Sequence, residues 1–299
     1  MNINWLLGLI ILSQQVNMPG SLLLTNHGQP LSYINRSDLS MNLPGLPINI
    51  EKFEKFMDEI DKNISKQPKN AMMNHQGNII PEQVGSILDR KIFTEQVFSY
   101  YFNNGSSKLE VPIQKVYPRV DSELLGNIRS EKIGRYVTFF NHYHKERNKN
   151  IVLAAKAINN FVLFPGETFS FNKVVGKRTA GKGYMAAPVI IKGEFSEDIG
   201  GGICQVSTTL FNAVDNAGLN VLQRQSHSKE VSYVPPGRDA TVSWDGPDLV
   251  FKNKYNQPIL IQAKTAENKL IIEIFSSDVI TYTPKKVPYL PNEQNRLPK

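Results

Sequence analysis

The sequence predicts an α+β protein of two domains. A small helix–hairpin–helix–strand α/β domain comes first. A larger domain follows, with a central cysteine-bearing helix packed on a mostly antiparallel sheet. Three observations lead there. The chain has 299 residues, more than one average domain. Its strand-like runs gather after one strongly helical segment instead of alternating with helices. A polar stretch from Pro118 to about residue 130 divides two differently patterned halves.

Composition narrows the function classes. Hydrophobic residues make up 40% and charged residues 20%, enough for real cores. The net charge is +7, which suits an anionic partner such as nucleic acid, acidic lipid or a wall polymer. There is no Arg-rich helix, RNP-like aromatic pair or zinc spacing, so nucleic acid is not expected. One cysteine excludes an internal disulfide. Secretion stays open, because adequate cores need no staple. Trp5–Leu12 is an apolar run too short to span a bilayer. It fits the apolar part of a signal peptide, although no Lys or Arg precedes it. A buried strand or an interfacial anchor is the alternative for residues 1–20. No other window approaches transmembrane length.

The first domain is expected over 43–120. Pro44, Gly45 and Pro47 punctuate its start after an irregular stretch at 20–42. Ile50, Phe53, Phe56, Met57 and Ile60 fall on one helical stripe. Ala71–Pro81 reads as a hairpin turning at Gln76–Gly77. Ser86–Phe98 reads as a second amphipathic helix. After a turn at Asn103–Gly105, Leu109–Val116 alternates as a strand.

The second domain is expected over 130–280. Tyr136–Phe140 reads as a strand, Asn150–Asn160 as a helix, and Pro188–Lys192 as a strand. Gly200-Gly-Gly-Ile-Cys204 then opens a helix with its apolar stripe at Ile203, Val206, Leu210, Ala213, Val214 and Ala217. Gly218 suits its C-terminal end. Strands follow at Asn220–Gln225, Thr241–Trp244, Leu249–Lys252, Pro258–Lys264 and Lys269–Phe275. Four prolines after Thr283 mark 281–299 as a disordered tail.

The chemistry gathers at Cys204. A thiol in the first turn of a helix meets unpaired N–H groups and the positive end of the dipole, which favour the thiolate. Free N–H groups around Gly202 to Gln205 could stabilise an oxyanion. A nucleophilic thiol needs a base, and a base needs an orienting group. His227 lies just past the strand after this helix, and an antiparallel return would bring it back to Cys204. His27, His75, His142 and His144 are placed elsewhere. Asp239 is the best orienting carboxylate, with Glu230, Asp245 and Asp248 as competitors. Gly201, Gly202, Gln205 and Tyr184 could line a substrate groove, and Arg224 or Arg238 could hold a substrate carboxylate. The structural alternatives stay open: a buried thiol, closely packed glycines, a core tyrosine and salt-bridged arginines. One Cys and one nearby His fall short of a metal site, and no cofactor is expected.

Residues 136 to about 265 resemble the VanW domain family. The matching pieces include Phe164-Pro-Gly-Glu-Thr-Phe-Ser-Phe-Asn172, Gly176-Lys-Arg-Thr179, Gly200-Gly-Gly-Ile-Cys-Gln-Val-Ser-Thr-Thr-Leu210, His227-Ser228, Tyr233-Val-Pro and Gly237-Arg-Asp-Ala-Thr-Val242. Residues 43–120 resemble, less specifically, a small peptidoglycan-binding domain. The resemblance implies a bacterial cell-envelope protein, Gram-positive, exported, with peptidoglycan or another anionic wall polymer as partner. Its recurrent residues include Cys204, His227 and Asp239. The layout Cys, His, Asp is similar to that of transglutaminases and papain-like enzymes. Three functions compete: a thiol hydrolase or transpeptidase of the wall, a non-catalytic wall-binding module with a structural cysteine, and a cytosolic or spore-associated protein that keeps the domain.

Overall fold

A computed structural model describes residues 21–40, 48–103, 108–191 and 194–290. The Trp5–Leu12 run, the Pro44–Pro47 punctuation, the centre of the turn at 104–105 and residues 291–299 of the tail lie outside them. The chain forms two compact units. One comprises the described residues up to Ala71 with Pro81–Asp121, the other Met72–Ile80 with the residues from Ser122 onward.

The first unit begins earlier than its composition suggests. Residues 21–35, expected as irregular, form β1 (Ser21–Asn26) and β2 (Gln29–Asn35), paired antiparallel. His27 and Gly28 turn between them with φ of 50° and 74°, the positive values that match hairpin twist. A short α1 (Arg36–Leu39) precedes α2 (Ile50–Ile64). The Asn49 side chain caps α2 by accepting from Lys52 N at 3.0 Å. The buried face of α2 is Phe53, Met57, Ile60 and Ile64, while Ile50 in the first turn is 51% exposed.

The expected hairpin exists as β3 (Met72–Met73) and β4 (Ile79–Ile80), but it groups with the second unit. Asn160 holds it there: Met73 N donates to Asn160 Oδ1 at 2.8 Å, and Asn160 Nδ2 donates to Met73 O at 3.0 Å. The stretch expected as the start of a second helix is β5 (Gly85–Leu88), and α3 (Arg90–Asn103) begins only after it. A side chain at Gly85 would sit 2.3 Å from Lys66 O, so glycine lets this strand press onto the neighbouring backbone. The expected single strand at 109–116 is two, β6 (Lys108–Glu110) and β7 (Ile113–Val116). Pro112 between them has no N–H for a ladder. So β6 runs parallel to β1, while β7 pairs antiparallel with β5.

The expected linker contains α4 (Ser122–Ile128). The second unit continues with β8 (Glu131–Phe139), α5 (Lys145–Ile158), β9 (Phe161–Leu163), β10 (Thr168–Ser170) and α6 (Phe171–Val175). Then come β11 (Ala186–Ile191), β12 (Glu194–Ile199), α7 (Ile203–Asn216), β13 (Asn220–Gln223), β14 (Val250–Lys252), β15 (Ile259–Ala266) and β16 (Lys269–Ser276). The class is α+β. An antiparallel sheet in the order β8-β16-β15-β9 carries α7 on β8 and β16, with α5 against β15 and α7. A Cβ at Gly134 of β8 would meet Ala213 O at 2.5 Å, which is how closely helix and sheet approach. A second small sheet has the order β10-β14-β13.

The helix α7 ends as expected. Gly218 takes φ 74°, and Gly218 N donates to Asp215 O at 2.9 Å and Leu219 N to Val214 O at 3.0 Å, the paired bonds of a Schellman end. The expected apolar stripe is buried. So, beyond expectation, are Gln205, Ser207, Thr208, Thr209 and Asn212, each at most 1% exposed.

Residues 241–244, expected as a strand, join no sheet. The segment 238–242 instead lies along the polar face of α7, whose side chains take the place of a neighbouring strand. Ser207 Oγ donates to Ala240 O at 2.6 Å, Ala240 N to Thr208 Oγ1 at 2.9 Å, and Asn212 Nδ2 to Arg238 O at 2.8 Å. The tail also differs from expectation up to residue 290. Tyr289 stacks on Tyr136 with centroids 4.3 Å apart, and Tyr136 Oη donates to Pro288 O at 2.8 Å.

Candidate functional site: a Cys–His–Asp cluster at a helix start

Three side chains that are distant in sequence meet at the start of α7. Cys204 sits in its first turn, partly buried. The His227 side chain is 6% exposed and lies beside the Cys204 thiol, whose hydrogen-bond contacts are Val242 O at 3.5 Å and Thr241 Oγ1 at 3.8 Å. His227 Nδ1 is 2.5 Å from Asp239 Oδ2, and His227 N donates to the same oxygen at 2.6 Å. With Nδ1 engaged, Nε2 is the ring nitrogen left for the thiol. Asp239 therefore fixes both the backbone and the ring of His227.

The segment on the polar face of α7 sets this geometry. Ser207, Thr208 and Asn212 hold the backbone on either side of Asp239, so its carboxylate reaches His227 from a fixed base. Arg224 adds a brace. Its Nε donates to Asp239 O at 2.7 Å and its Nη2 to Gly237 O at 2.6 Å.

The titration behaviour follows from the contacts. Burial pushes the Cys204 thiol up, but the adjacent His227 imidazole, a hydrogen bond with the Val242 backbone and the His227 charge outweigh it, and the thiol lies below its ordinary range. Burial pulls His227 down, but the proximity and charge of Cys204, then the hydrogen bond and charge of Asp239, hold it above its ordinary value. Burial raises Asp239, and the two His227 bonds bring it below the usual carboxylate range. A lowered thiol beside a raised imidazole shifts the balance toward the thiolate–imidazolium pair.

The other expected residues divide. A side chain at Gly201 would meet Ala187 O at 2.4 Å, and one at Gly202 would meet Arg147 Cγ at 2.7 Å. The triple glycine is thus a close-packing device, with Gly200 and Gly202 both at left-handed φ. Ile203 N and Gln205 N are taken by Gly200 O and Gly202 O. The Gly202 and Cys204 N–H groups meet no acceptor among the described residues, and these two are the candidates for an oxyanion.

Gln205 does not line a groove. It is buried, donating to Thr138 Oγ1 and Phe139 O and accepting from Arg147 Nη2 at 2.8 Å. Tyr184 is a core residue, 6% exposed. Arg238 pairs with Asp215 at 2.8 Å and, like Arg224, lies over the Phe211 ring. Asp248 accepts from Ser170 Oγ and two backbone N–H groups, away from His227. Glu230 and Asp245 are exposed, as are His27, His75, His142 and His144.

Sequence reasoning missed Arg147, Arg178 and Tyr233. All three interact electrostatically with Cys204, and Tyr233 hydrogen-bonds Thr208. Arg178 and Tyr233 lie in fragments that carried the family resemblance. Arg147, in the charged first turn of α5, gave no signal. No group of three or more metal-ligating side chains occurs among the described residues, and no described helix is long and apolar enough to cross a membrane.

Residues 146–275 match the family model for VanW like protein. The chain is 52% identical over 293 residues to the uncharacterized protein YoaR of Bacillus subtilis (strain 168), covering 98% of this chain and 96% of that one. It is 30% identical over 139 residues to the vancomycin B-type resistance protein VanW of Enterococcus faecalis (strain ATCC 700802 / V583), covering 45% of this chain and 50% of that one. No solved structure matches. The chain carries a VanW-like domain over residues 146–275 and is a relative of YoaR along almost its whole length.

Proposed function

We propose that this protein acts on peptidoglycan at the bacterial cell envelope as a cysteine-dependent amide hydrolase or transpeptidase. The observation that carries the reading is the cluster of Cys204, His227 and Asp239, in which Asp239 holds the imidazole beside the thiol, with the thiol lowered and the imidazole raised. The thiolate attacks an amide carbonyl of a stem peptide, forming a C–S bond. The Cys204 and Gly202 N–H groups steady the oxyanion. The C–N bond breaks, and the amine leaves with the His227 proton. Water or a second amine then takes the acyl group from sulfur, with His227 accepting its proton. The first outcome is hydrolysis and the second transpeptidation. Asp239 keeps the imidazole in the productive orientation throughout.

A positive chain suits an anionic wall polymer, and the first unit supplies a second wall contact in this reading. The Trp5–Leu12 run serves export. The test is mass spectrometry of muropeptides after incubating purified walls with the wild type and with Cys204→Ala. New products, or an acyl adduct on Cys204, are expected only with the wild type. Identical products from both proteins overturn the reading. One observation favours a second reading: Cys204 also packs against the hydrophobic core. In that case the protein is a non-catalytic wall-binding module, and Cys204→Ala leaves wall binding unchanged.

A further inference from the structure

Two arginines flank the glycine loop that leads into Cys204. A Cβ on Gly202 would meet Arg147 Cγ at 2.7 Å, and one on Gly200 would meet Arg178 Cβ at 3.3 Å. Both guanidinium groups interact electrostatically with the thiol. Neither forms an ion pair among the described residues. Arg147 Nη2 donates to Gln205 Oε1 and Arg178 Nη1 to Asn172 Oδ1, each at 2.8 Å, and both acceptors are neutral amides. Arg178 Nη2 is enclosed and has no acceptor. Asp248 attracts Arg178 from a distance, but its oxygens are taken by Ser170, Asn172 and Leu249. Both arginines are partly buried and Arg178 lies over the Phe171 ring, and holding two partly buried cations without a paired counter-ion is costly. Thiolate alone does not balance them, because His227 already shares that charge and acylation removes it.

We propose that Arg147 and Arg178 are a substrate-binding pair that takes a carboxylate of the peptide next to the carbonyl attacked by Cys204. The inference rests on the thiol-enzyme reading and narrows its substrates to peptides with a free carboxylate close to the scissile amide. The carboxylate supplies the oxygen that Arg178 Nη2 lacks, the guanidinium turning from its covered resting position toward the thiol. It also keeps one negative charge beside the pair when the thiolate becomes a thioester.

The test compares alkylation of the full-length protein by iodoacetate and by iodoacetamide, each rate divided by that of N-acetylcysteine. In the wild type the normalised ratio is expected to favour the anionic reagent about tenfold, the scale of one charge-assisted hydrogen bond. It falls toward one in Arg147→Gln and Arg178→Gln and is partly kept in Arg178→Lys. As a check free of folding effects, N-acetylalanine should protect wild-type Cys204 from iodoacetamide, and N-acetylalaninamide should not. A wild-type ratio near one with the thiol still lowered overturns the carboxylate seat and leaves the thiol enzyme standing. Equal slowing of both reagents in the Gln variants also overturns it, since the arginines then serve only the thiolate. A thiol of ordinary acidity that resists both reagents defeats the underlying reading instead.

Discussion

The helices α2 and α7 are nearly equal in length, 15 and 14 residues, yet they use their polar sides in opposite ways. In α2 the polar face meets water, and its Glu51–Lys55 pair at 2.7 Å is exposed at both ends. Such a pair contributes little. In α7 the polar face is dry. Gln205, Ser207, Thr208, Thr209 and Asn212 are buried, and all but Thr209 hydrogen-bond the backbone of a neighbouring segment. A polar residue that faces water is replaceable. A buried one that holds another segment is not, because removing it leaves its partners unsatisfied.

The comparison can be broken by substitution, and the largest effect is expected where α7 begins. Gly201→Ala places a Cβ 2.4 Å from Ala187 O and 2.7 Å from Pro188 O, both backbone atoms that cannot yield cheaply. A loss above about 3 kcal/mol is expected in urea denaturation. A wild-type midpoint for this variant would show that the loop has slack. Next is Asn212→Ala, which leaves Arg238 O and Arg238 Nε without their partner. A loss of about 2–3 kcal/mol is expected, and the thiol should lose reactivity as the 238–242 segment loosens. At the other extreme, Glu54→Ala on the exposed face of α2 should stay within about 0.5 kcal/mol. Similar losses for Asn212→Ala and Glu54→Ala would erase the distinction between the two faces.

The chemistry sharpens the same contrast. His227→Ala removes the imidazole beside the thiol and its positive charge. The pH profile of iodoacetamide alkylation should move upward, toward the ordinary thiol value of about 8.5. An unshifted profile would mean that the helix start, and not His227, sets thiol acidity. The pair also leaves a mark on stability. The raised His227 stabilises the fold fully below its unfolded value of about 6.5, and this is lost as pH rises through its folded value. The lowered Asp239 stabilises the fold above about 3.9, and this is lost as pH falls through its folded value. Asp239→Asn should therefore flatten the acid limb of the stability curve. An unchanged acid limb would show that Asp239 is not the group that titrates there.

Much of the second unit was legible because its signals are local. The α7 stripe recurs at helical spacing, and Gly218 ends it by a turn that needs left-handed φ. Cys204, His227 and Asp239 were legible as residue types in a plausible order. Their meeting was not, because the segment carrying Asp239 is held by side chains instead of by a sheet. The alternation of Ala240, Thr241, Val242 and Ser243 copies a strand, yet the partners are hydroxyls and an amide on a helix. Elsewhere the errors come from context. Pro112 splits a strand, Gly85 admits a close backbone, and Tyr136 draws Tyr289 onto the fold despite the prolines around it. Arg147 was invisible because a basic residue in the first turn of a helix reads as solvent-facing.

The hydroxyls beneath Ala240 have one more consequence. The site is armed by a short span of irregular chain, pinned by a few contacts to a helix deep in a rigid core. Such a span can lift while the core stays folded, since the two belong to different levels of local opening. Heat or denaturant should then silence Cys204 before any loss of helix content. The latch under Ala240 makes reactivity and local order a single quantity, and a lone methyl in place of the Ser207 hydroxyl would lower both.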